Sequence, residues 1–371
     1  MIYLDHAAAT PVSTKVLKAM EPYFADQFFN PSAAYLPAKR VREVYEDAKN
    51  RIAHTIGAKG VDLVITAGAT EATNIAFVNF SNILVLETEH DSVLKTALAR
   101  GGQTIKVDKN GLINLADLKS KITADTELIS VALANNELGA IQPLSEIAEI
   151  IRAERLRRLQ AGNTCPLYLH SDASQGMNLI DINVARMGVD LMTLNAAKIY
   201  GPKGVGALYV SHDVRLKPIT LGGGQENGLR SGTENVPGVV GFATATEEAK
   251  SHLSGNRKKY ENFKKIFLAE LKNYKLLNQK NSLANFVAVC FEGVDAERVI
   301  YKLEEQEVYV STGAACAASK GEKSHVLKAI GLSNAEIAGS LRITFGTTNT
   351  EADIKKAAQL INAAVESERG R

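Results

Sequence analysis

Between about residues 60 and 210 the chain alternates short apolar runs with longer stretches whose apolar residues recur every three to four positions. The runs at 62–66, 83–86, 103–107, 128–133, 167–170, 191–194 and 207–210 have the length and composition of buried strands. The intervening patterns at 69–80, 91–100 and 144–160, the last introduced by Pro143, predict helices. Strand and helix in alternation predict an α/β fold: a seven-stranded, mostly parallel sheet covered on both faces. In such sheets ligands bind beyond the carboxyl ends of the strands, so chemistry is sought just after each apolar run.

Beyond Asn235 the pattern changes. A helical stretch over about 237–274, interrupted near Leu253-Ser254-Gly255, leads into strands at 284–291 and 341–344 and helices at 296–305, 324–330 and 351–366. This reads as a smaller α+β domain, with disorder expected only over 366–371. The length of 371 residues suits two domains. A net charge of +2 advertises neither nucleic acid nor an anionic membrane. Three cysteines without CxxC spacing, and no clustered histidines, make neither a disulfide framework nor a metal centre. No basic segment followed by an apolar one opens the sequence and no run would span a bilayer, so a soluble, cytoplasmic protein is expected.

Several strand ends carry candidate chemistry. Thr66-Ala67-Gly68-Ala69-Thr70-Glu71 joins an apolar strand to a helix through small residues, either as a structural junction or as a cradle for an anion. Asp172, at the end of the run beginning Leu167, either caps the next helix or holds a heteroaromatic nitrogen protonated. Lys198, between Ala197 and an apolar residue at another strand end, suits imine formation if its amine is partly desolvated. Asp and then Lys at successive strand ends is what a pyridoxal phosphate site requires. His90 starts a helix or stacks on a cofactor ring and moves protons. Asn135-Asn136-Glu137 supplies amides at another strand end, while Gly222–Glu226 and Arg230–Asn235 are turns or partner-facing anion binders. Arg342, inside an apolar strand, needs a carboxylate or phosphate from protein or ligand. Cys316, in Ser311-Thr312-Gly313-Ala314-Ala315-Cys316-Ala317-Ala318, is either a small core residue or a thiol presented by a loop of small residues.

These segments resemble, nearly end to end, the cysteine desulfurases of the NifS/IscS type, fold-type I pyridoxal-phosphate enzymes of the class V aminotransferase family. Tyr3-Leu4-Asp5-His6-Ala7-Ala8, Asn30-Pro31-Ser32, Gly68-Ala69-Thr70-Glu71, Glu89-His90, Asn135-Asn136-Glu137, Asp172…Gln175 and Lys198…Gly201-Pro202-Lys203-Gly204 carry the first part of it. Gly222–Glu226, Arg230–Asn235, Ala315-Cys316, Ser324-His325-Val326-Leu327 and Arg342 carry the rest. The resemblance implies a large cofactor domain over 13–253 and a small domain formed by 1–12 with 254–371. It implies that Lys198 bonds pyridoxal 5'-phosphate, Asp172 holds the pyridine nitrogen, Gln175 and Asn136 bond the phenolic oxygen, and His90 stacks on the ring. Ala69, Thr70 and Asn195 would surround the phosphate, and Thr233 would reach that of a neighbouring subunit, making a homodimer. Arg342 and Asn136 would bind the substrate, L-cysteine, with Cys316 as sulfur acceptor and Lys198 or His90 as base. The persulfide on Cys316 would pass to an iron–sulfur scaffold or a tRNA-thiolation enzyme.

Three departures stand out. The family's usual Ser-x-His-Lys is here Asn195-Ala196-Ala197-Lys198, the serines around the cysteine have given way to Thr312, Ala314, Ala317 and Ala318, and a histidine frequent after Asn30-Pro31-Ser32 is replaced by Ala33-Ala34-Tyr35. Loss of one charge-assisted bond would weaken cofactor binding by roughly 1.5–3 kcal/mol if uncompensated. A selenocysteine lyase or another class V aminotransferase would use the same fold, and an inactive scaffold of iron–sulfur assembly would keep it without turnover. The nucleophile-like cysteine argues against a plain transaminase, and no strand-linked GxGxxG supports a nicotinamide-dependent dehydrogenase.

Overall fold

The computed structural model describes residues 1–278, 280–313 and 323–370; Cys316 lies outside the described residues. The large sheet consists of β2 (Leu63–Thr66), β3 (Ile83–Leu86), β4 (Gln103–Ile105), β5 (Leu128–Ser130), β6 (Tyr168–Asp172), β7 (Leu191–Asn195) and β8 (Gly206–Val210). Their order is β2-β8-β7-β6-β5-β3-β4. β4, β3, β5, β6 and β7 run parallel, and β8 lies antiparallel between β7 and β2. The seven expected strands and the mostly parallel pattern are therefore present. The antiparallel strand follows from the short connection after β7, which leaves no room for a crossover helix.

Apolar side chains on both faces explain why these strands read as continuous hydrophobic runs. One face carries Ile65, Leu84, Leu86, Ile129, Leu169, Met192 and Leu194 against α2 (Leu36–Thr55), α6 (Leu144–Gln160) and α8 (Val236–Ser251). The other carries Val64, Val85, Leu128, Leu191 and Leu208 against α3 (Ala69–Phe77) and α4 (Asp91–Leu98). Helix α2 was absent from the sequence reading, although Ala38, Val41, Tyr45, Ala48 and Ile52 recur at helical spacing and are buried. Dense charge on its outer face hides the stripe.

The expected break in the long helical stretch falls at His252, between α8 and α9 (Leu253–Glu270). A second sheet, ordered Ser311–Thr312, Ser340–Thr344, Phe286–Cys290 and Lys275–Leu276, packs with α9 and the helix Glu351–Arg369. Ile2, Leu4 and Ala7 join this second core, because the strand Ile2–Tyr3 pairs with Val308–Tyr309. Residues expected to be disordered after 366 instead extend the helix to Arg369. Buried Glu368 holds that turn, accepting from Arg298 at 3.2 Å and Lys302 at 3.1 Å.

Arg158, 2% exposed, fastens α6 to the sheet. Its guanidinium donates to the carbonyls of Thr123, Thr126, Cys165 and Pro166 and to Glu154. The segments leading into β5 and β6 thus converge on one cation. Replacing it would strip four carbonyls of their donor and leave a void. Arg158→Met is expected to lower the unfolding free energy by on the order of 3 kcal/mol in a urea titration. It touches no residue of the cavity described next.

Candidate active site

The carboxyl ends of β3, β5, β6 and β7, together with the α3 N-terminus, wall a cavity of about 800 Å³. Ala69, Thr70, His90, Asn136, Asp172, Gln175, Asn195, Lys198 and Arg342 all line it. Those residues are spread over some 270 positions of sequence (69 to 342); all but Arg342, inside the strand Ser340–Thr344, sit at strand ends or in the segments just after them. The cavity is in the size range of small-molecule sites.

At one end the chain turns from β2 into α3. Gly68 has φ +148°, a conformation L side chains rarely adopt, and a Cβ there would point into open space. Behind it, a Cβ on Gly206 would come within 2.9 Å of Gly68 Cα, so two backbones touch where β8 passes the turn. The first N–H groups of α3 have no intrahelical acceptor and face the cavity beside the exposed Thr70 hydroxyl.

Asp172 ends β6, buried, with Oδ1 accepting the Ser174 N–H at 2.8 Å. Lys198 ends the single turn Ala196–Lys198, and its Nζ donates to the Ala8 carbonyl. Asn195 starts that turn: its Oδ1 accepts the Ala197 N–H at 3.1 Å, so the side-chain oxygen caps while the residue lines the cavity. Gln175 donates to the Ala7 carbonyl at 3.0 Å.

His90 caps α4. Its Nδ1 accepts the Ser92 N–H at 3.1 Å, which places the proton of the neutral ring on Nε2. Burial pushes its pKa below the ordinary imidazole value; Lys198 adds to the effect and Asp172 opposes it. Beneath it sits Glu89, 1% exposed, with Oε1 accepting the Ala132 N–H at 2.5 Å. Burial, and secondarily the Asp172 carboxylate, raise the Glu89 pKa to about 8. Glu137, also buried, is raised to about 7 by burial, while the Ser324 hydroxyl and Arg342 act in the opposite direction.

Arg342 is 3% exposed and paired: it donates to Asp5 Oδ1 at 2.7 Å and to the Asn136 carbonyl at 2.8 Å. Of the partners left open by the sequence, the protein carboxylate Asp5 is the one present. Thr233 is exposed and does not line this cavity. Glu89, Glu137, Ser324 and Asp5 went without a role in the sequence reading. They lay inside quoted motifs; burial distinguishes Glu89, Glu137 and Ser324, and pairing with Arg342 distinguishes Asp5, neither of which periodicity reports.

The residues fit pyridoxal 5'-phosphate. Glu89 Oε2, Ser174 Oγ and Arg342 Nε are buried polar atoms lacking a protein hydrogen-bond partner, and all three residues line the cavity. Such groups are rare in folded proteins and mark a place for a polar ligand. A carboxylate, an amine and a glycine-turn helix N-terminus supply partners for a ring nitrogen, an aldehyde carbon and a phosphate respectively.

Residues 2–357 match the family Aminotransferase class-V. Cysteine desulfurase IscS 1 of Archaeoglobus fulgidus is 38% identical, covering 99% of this chain and 97% of its own length. A putative cysteine desulfurase IscS 1 of Bacillus subtilis is 35% identical, over 96% and 97%. Among solved structures, a NifS-like protein superposes with a TM-score of 0.90 at 29% identity over 99% of both chains. SspA in complex with cysteine gives 0.82 at 33% identity, over 93% of this chain and 99% of its own. With cavity, fold and sequence in agreement, this chain belongs to the class V aminotransferases, a family of pyridoxal-phosphate enzymes.

Proposed function

We propose that this chain is a cysteine desulfurase that converts L-cysteine to L-alanine and takes the sulfur onto Cys316. The observation that carries the reading is the meeting of Lys198, Asp172, His90 and the α3 N-terminus around one cavity, in a chain 38% identical to a cysteine desulfurase. When bound, pyridoxal phosphate supplies the electron sink that allows the substrate α-proton to leave and the Cβ–S bond to break. Lys198 would hold the group, Asp172 would keep its ring nitrogen protonated, and the Ala69–Thr70 turn would take its phosphate. Gln175 and Asn136 supply amides for the phenolic oxygen. As an amine, Lys198 is the proton acceptor. His90, with Nδ1 engaged by Ser92, is set to donate a proton from Nε2. A Cys316 thiolate attacks the substrate sulfur; the Cβ–S bond breaks with its electron pair on carbon, protonation there yields alanine, and Cys316 retains the sulfur as a persulfide.

Arg342 is the cation for the substrate carboxylate in this reading. Its Nε is unpartnered, whereas its terminal nitrogens are held by Asp5 and Asn136. Substrate would therefore either use Nε or displace Asp5. A homodimer with Thr233 completing the neighbour's site, a cytoplasmic location, and an iron–sulfur scaffold or tRNA-thiolation enzyme as sulfur acceptor belong to the same proposal. So does the division into domains at 13–253 and at 1–12 with 254–371, supported by the membership of Ile2, Leu4 and Ala7 in the second core.

The roles separate by substitution. Lys198→Ala should lose both the visible absorbance of bound cofactor and turnover. Cys316→Ala should keep the absorbance and respond to L-cysteine but release no sulfide. Intact mass of the cofactor-loaded protein after brief exposure to L-cysteine without reductant should show one added sulfur, mapped to Cys316. A loaded protein that gains none would overturn the assignment.

Glu89 makes a prediction about pH. Its carboxyl stays protonated in the folded chain up to about pH 8, whereas an unfolded glutamate ionises in the ordinary carboxyl range. Over that window the folded state binds the extra proton at Glu89, so the Glu89 contribution to stability falls as pH rises from about 5 towards 8. Glu89→Gln, which keeps the shape and cannot ionise, should flatten this dependence in urea unfolding of the cofactor-free protein. An unchanged slope would mean that Glu89 is ionised when folded.

A further inference from the structure

The motif Ser324-His325-Val326-Leu327 and the buried Glu137 have no part in the steps above, yet they meet at the edge of the cavity. Ser324 Oγ donates to Glu137 Oε2 at 2.6 Å and accepts the Leu327 N–H at 3.0 Å, capping the helix His325–Ala329. His325 Nε2 donates to the Glu89 carbonyl at 2.8 Å, directly before His90. On the other side, the strand Ser311–Thr312 pairs with Ser340–Thr344, putting Ser311 beside Arg342. The next residue, Gly313, is so close to Glu137 that a Cβ there would lie 2.9 Å from both Glu137 Oε2 and Leu327 Cδ1. Gly313 and Ser324 bracket, in sequence, the stretch that contains Cys316. One carboxyl oxygen thus bonds one foot of that stretch and leaves no room for a side chain on the other.

Glu137 is itself fixed. Asn135 Oδ1 accepts the N–H groups of Glu137 and Leu138 at 2.9 and 2.8 Å, and Asn135 Nδ2 donates to the Thr88 carbonyl at 2.8 Å. Arg342 clamps the Asn136 carbonyl between them. A turn so held can transmit position from the segment before His90 and the strand that carries Arg342 to the feet of the cysteine stretch. Burying a carboxyl there without a structural return would be costly, and the short bond to Ser324 supplies one.

We propose that Glu137 is a positioning residue for sulfur transfer: it bonds Ser324 and packs close against Gly313, the described residues on either side of the stretch containing Cys316, and so governs the rate at which Cys316 takes the sulfur. The inference rests on the reading of Cys316 as the sulfur acceptor. The footing itself is independent of that reading and can be measured without turnover.

The test uses cofactor-loaded protein and the variants Glu137→Ala, Glu137→Gln and Ser324→Ala. Two quantities are followed: tryptic cleavage at Lys323–Ser324, and the rate of persulfide formation on Cys316 at saturating L-cysteine. In Glu137→Ala and Ser324→Ala cleavage should accelerate roughly tenfold or more, the consequence of losing one short buried hydrogen bond at the foot. The persulfide rate should fall by a similar factor, and by more than the apparent affinity for L-cysteine, read from the absorbance change on its addition. Glu137→Gln, whose amide oxygen can still accept from Ser324, should stay within about threefold of the parent. Wild-type cleavage and persulfide rates in Glu137→Ala would overturn the proposal, as would a Gln variant as impaired as the Ala variant. Should Glu137→Ala fail to fold, Ser324→Ala alone decides by the same criteria. If the parent protein forms no persulfide, the proposed function fails, and unchanged cleavage in the variants is then the result that removes the footing as well.

Discussion

Three carboxyl side chains buried at neighbouring strand ends set the electrostatic condition the active site has to satisfy. Asp172 ends β6, Glu89 follows β3 and Glu137 follows β5, and all line one cavity. Of the two long cations among the described residues lining the cavity, Arg342 is paired with Asp5, and Lys198 is the residue proposed to bond the cofactor. Three full negative charges in so confined a volume would repel strongly. The chain resolves the conflict by burial: the pKa of Glu89 rises to about 8 and that of Glu137 to about 7. Asp172, which receives a backbone N–H and opens on the cavity, is the carboxyl proposed to meet a ring nitrogen.

The sheet backs Asp172 with a graded face. On β6, His170 and Asp172 are two residues apart and so point to the same side. His170 bonds Ser130 Oγ at 2.9 Å and Thr193 Oγ1 at 3.0 Å, and Thr193 stands 3.5 Å from Thr73 in α3. Burial lowers the His170 pKa to about 3, so this layer is polar but uncharged. Below it lie Leu128 and Leu191; above it, Asp172 and Asn195. The hydroxyl–imidazole chain ties β5, β6 and β7 to the helix whose N-terminus is the proposed phosphate site. Spacing between ring and phosphate sites is thereby fixed by side chains that touch neither.

The large sheet was legible in the sequence because parallel strands buried on both faces read as uninterrupted apolar runs, and Pro143 and the alanine-rich turns marked their neighbours. Helix α2 was not, since Arg40, Arg42, Glu43, Glu46 and Asp47 mask its buried stripe. The residues of the cavity were legible one by one as oddities at strand ends, and collectively through their resemblance to a family. Their partners were not. That Asp5 neutralises Arg342, or that Ser324 answers Glu137, depends on contacts over 337 and 187 residues that no local pattern encodes. The extension of the last helix to Arg369 has the same cause, since Glu368 is held by Arg298 and Lys302 from another helix.

The departure at Asn195-Ala196-Ala197-Lys198 takes on a different weight once the turn is seen. Asn195 spends its oxygen on the Ala197 N–H, and the Ala197 carbonyl receives Thr10 Oγ1 at 3.0 Å. Thr10 Oγ1 in turn accepts the Tyr200 N–H at 2.8 Å, while the Lys198 amine reaches the Ala8 carbonyl. The lysine turn is therefore buttressed from the N-terminal segment, through residues 8 and 10, rather than by a side chain at position 197. The same segment contributes Leu4 and Ala7 to the second core and Asp5 to Arg342. A rearrangement of residues 4–10 would thus move the lysine and the arginine together. What the chain gives up in one contact at position 197 it recovers as mechanical coupling between Lys198 and Arg342.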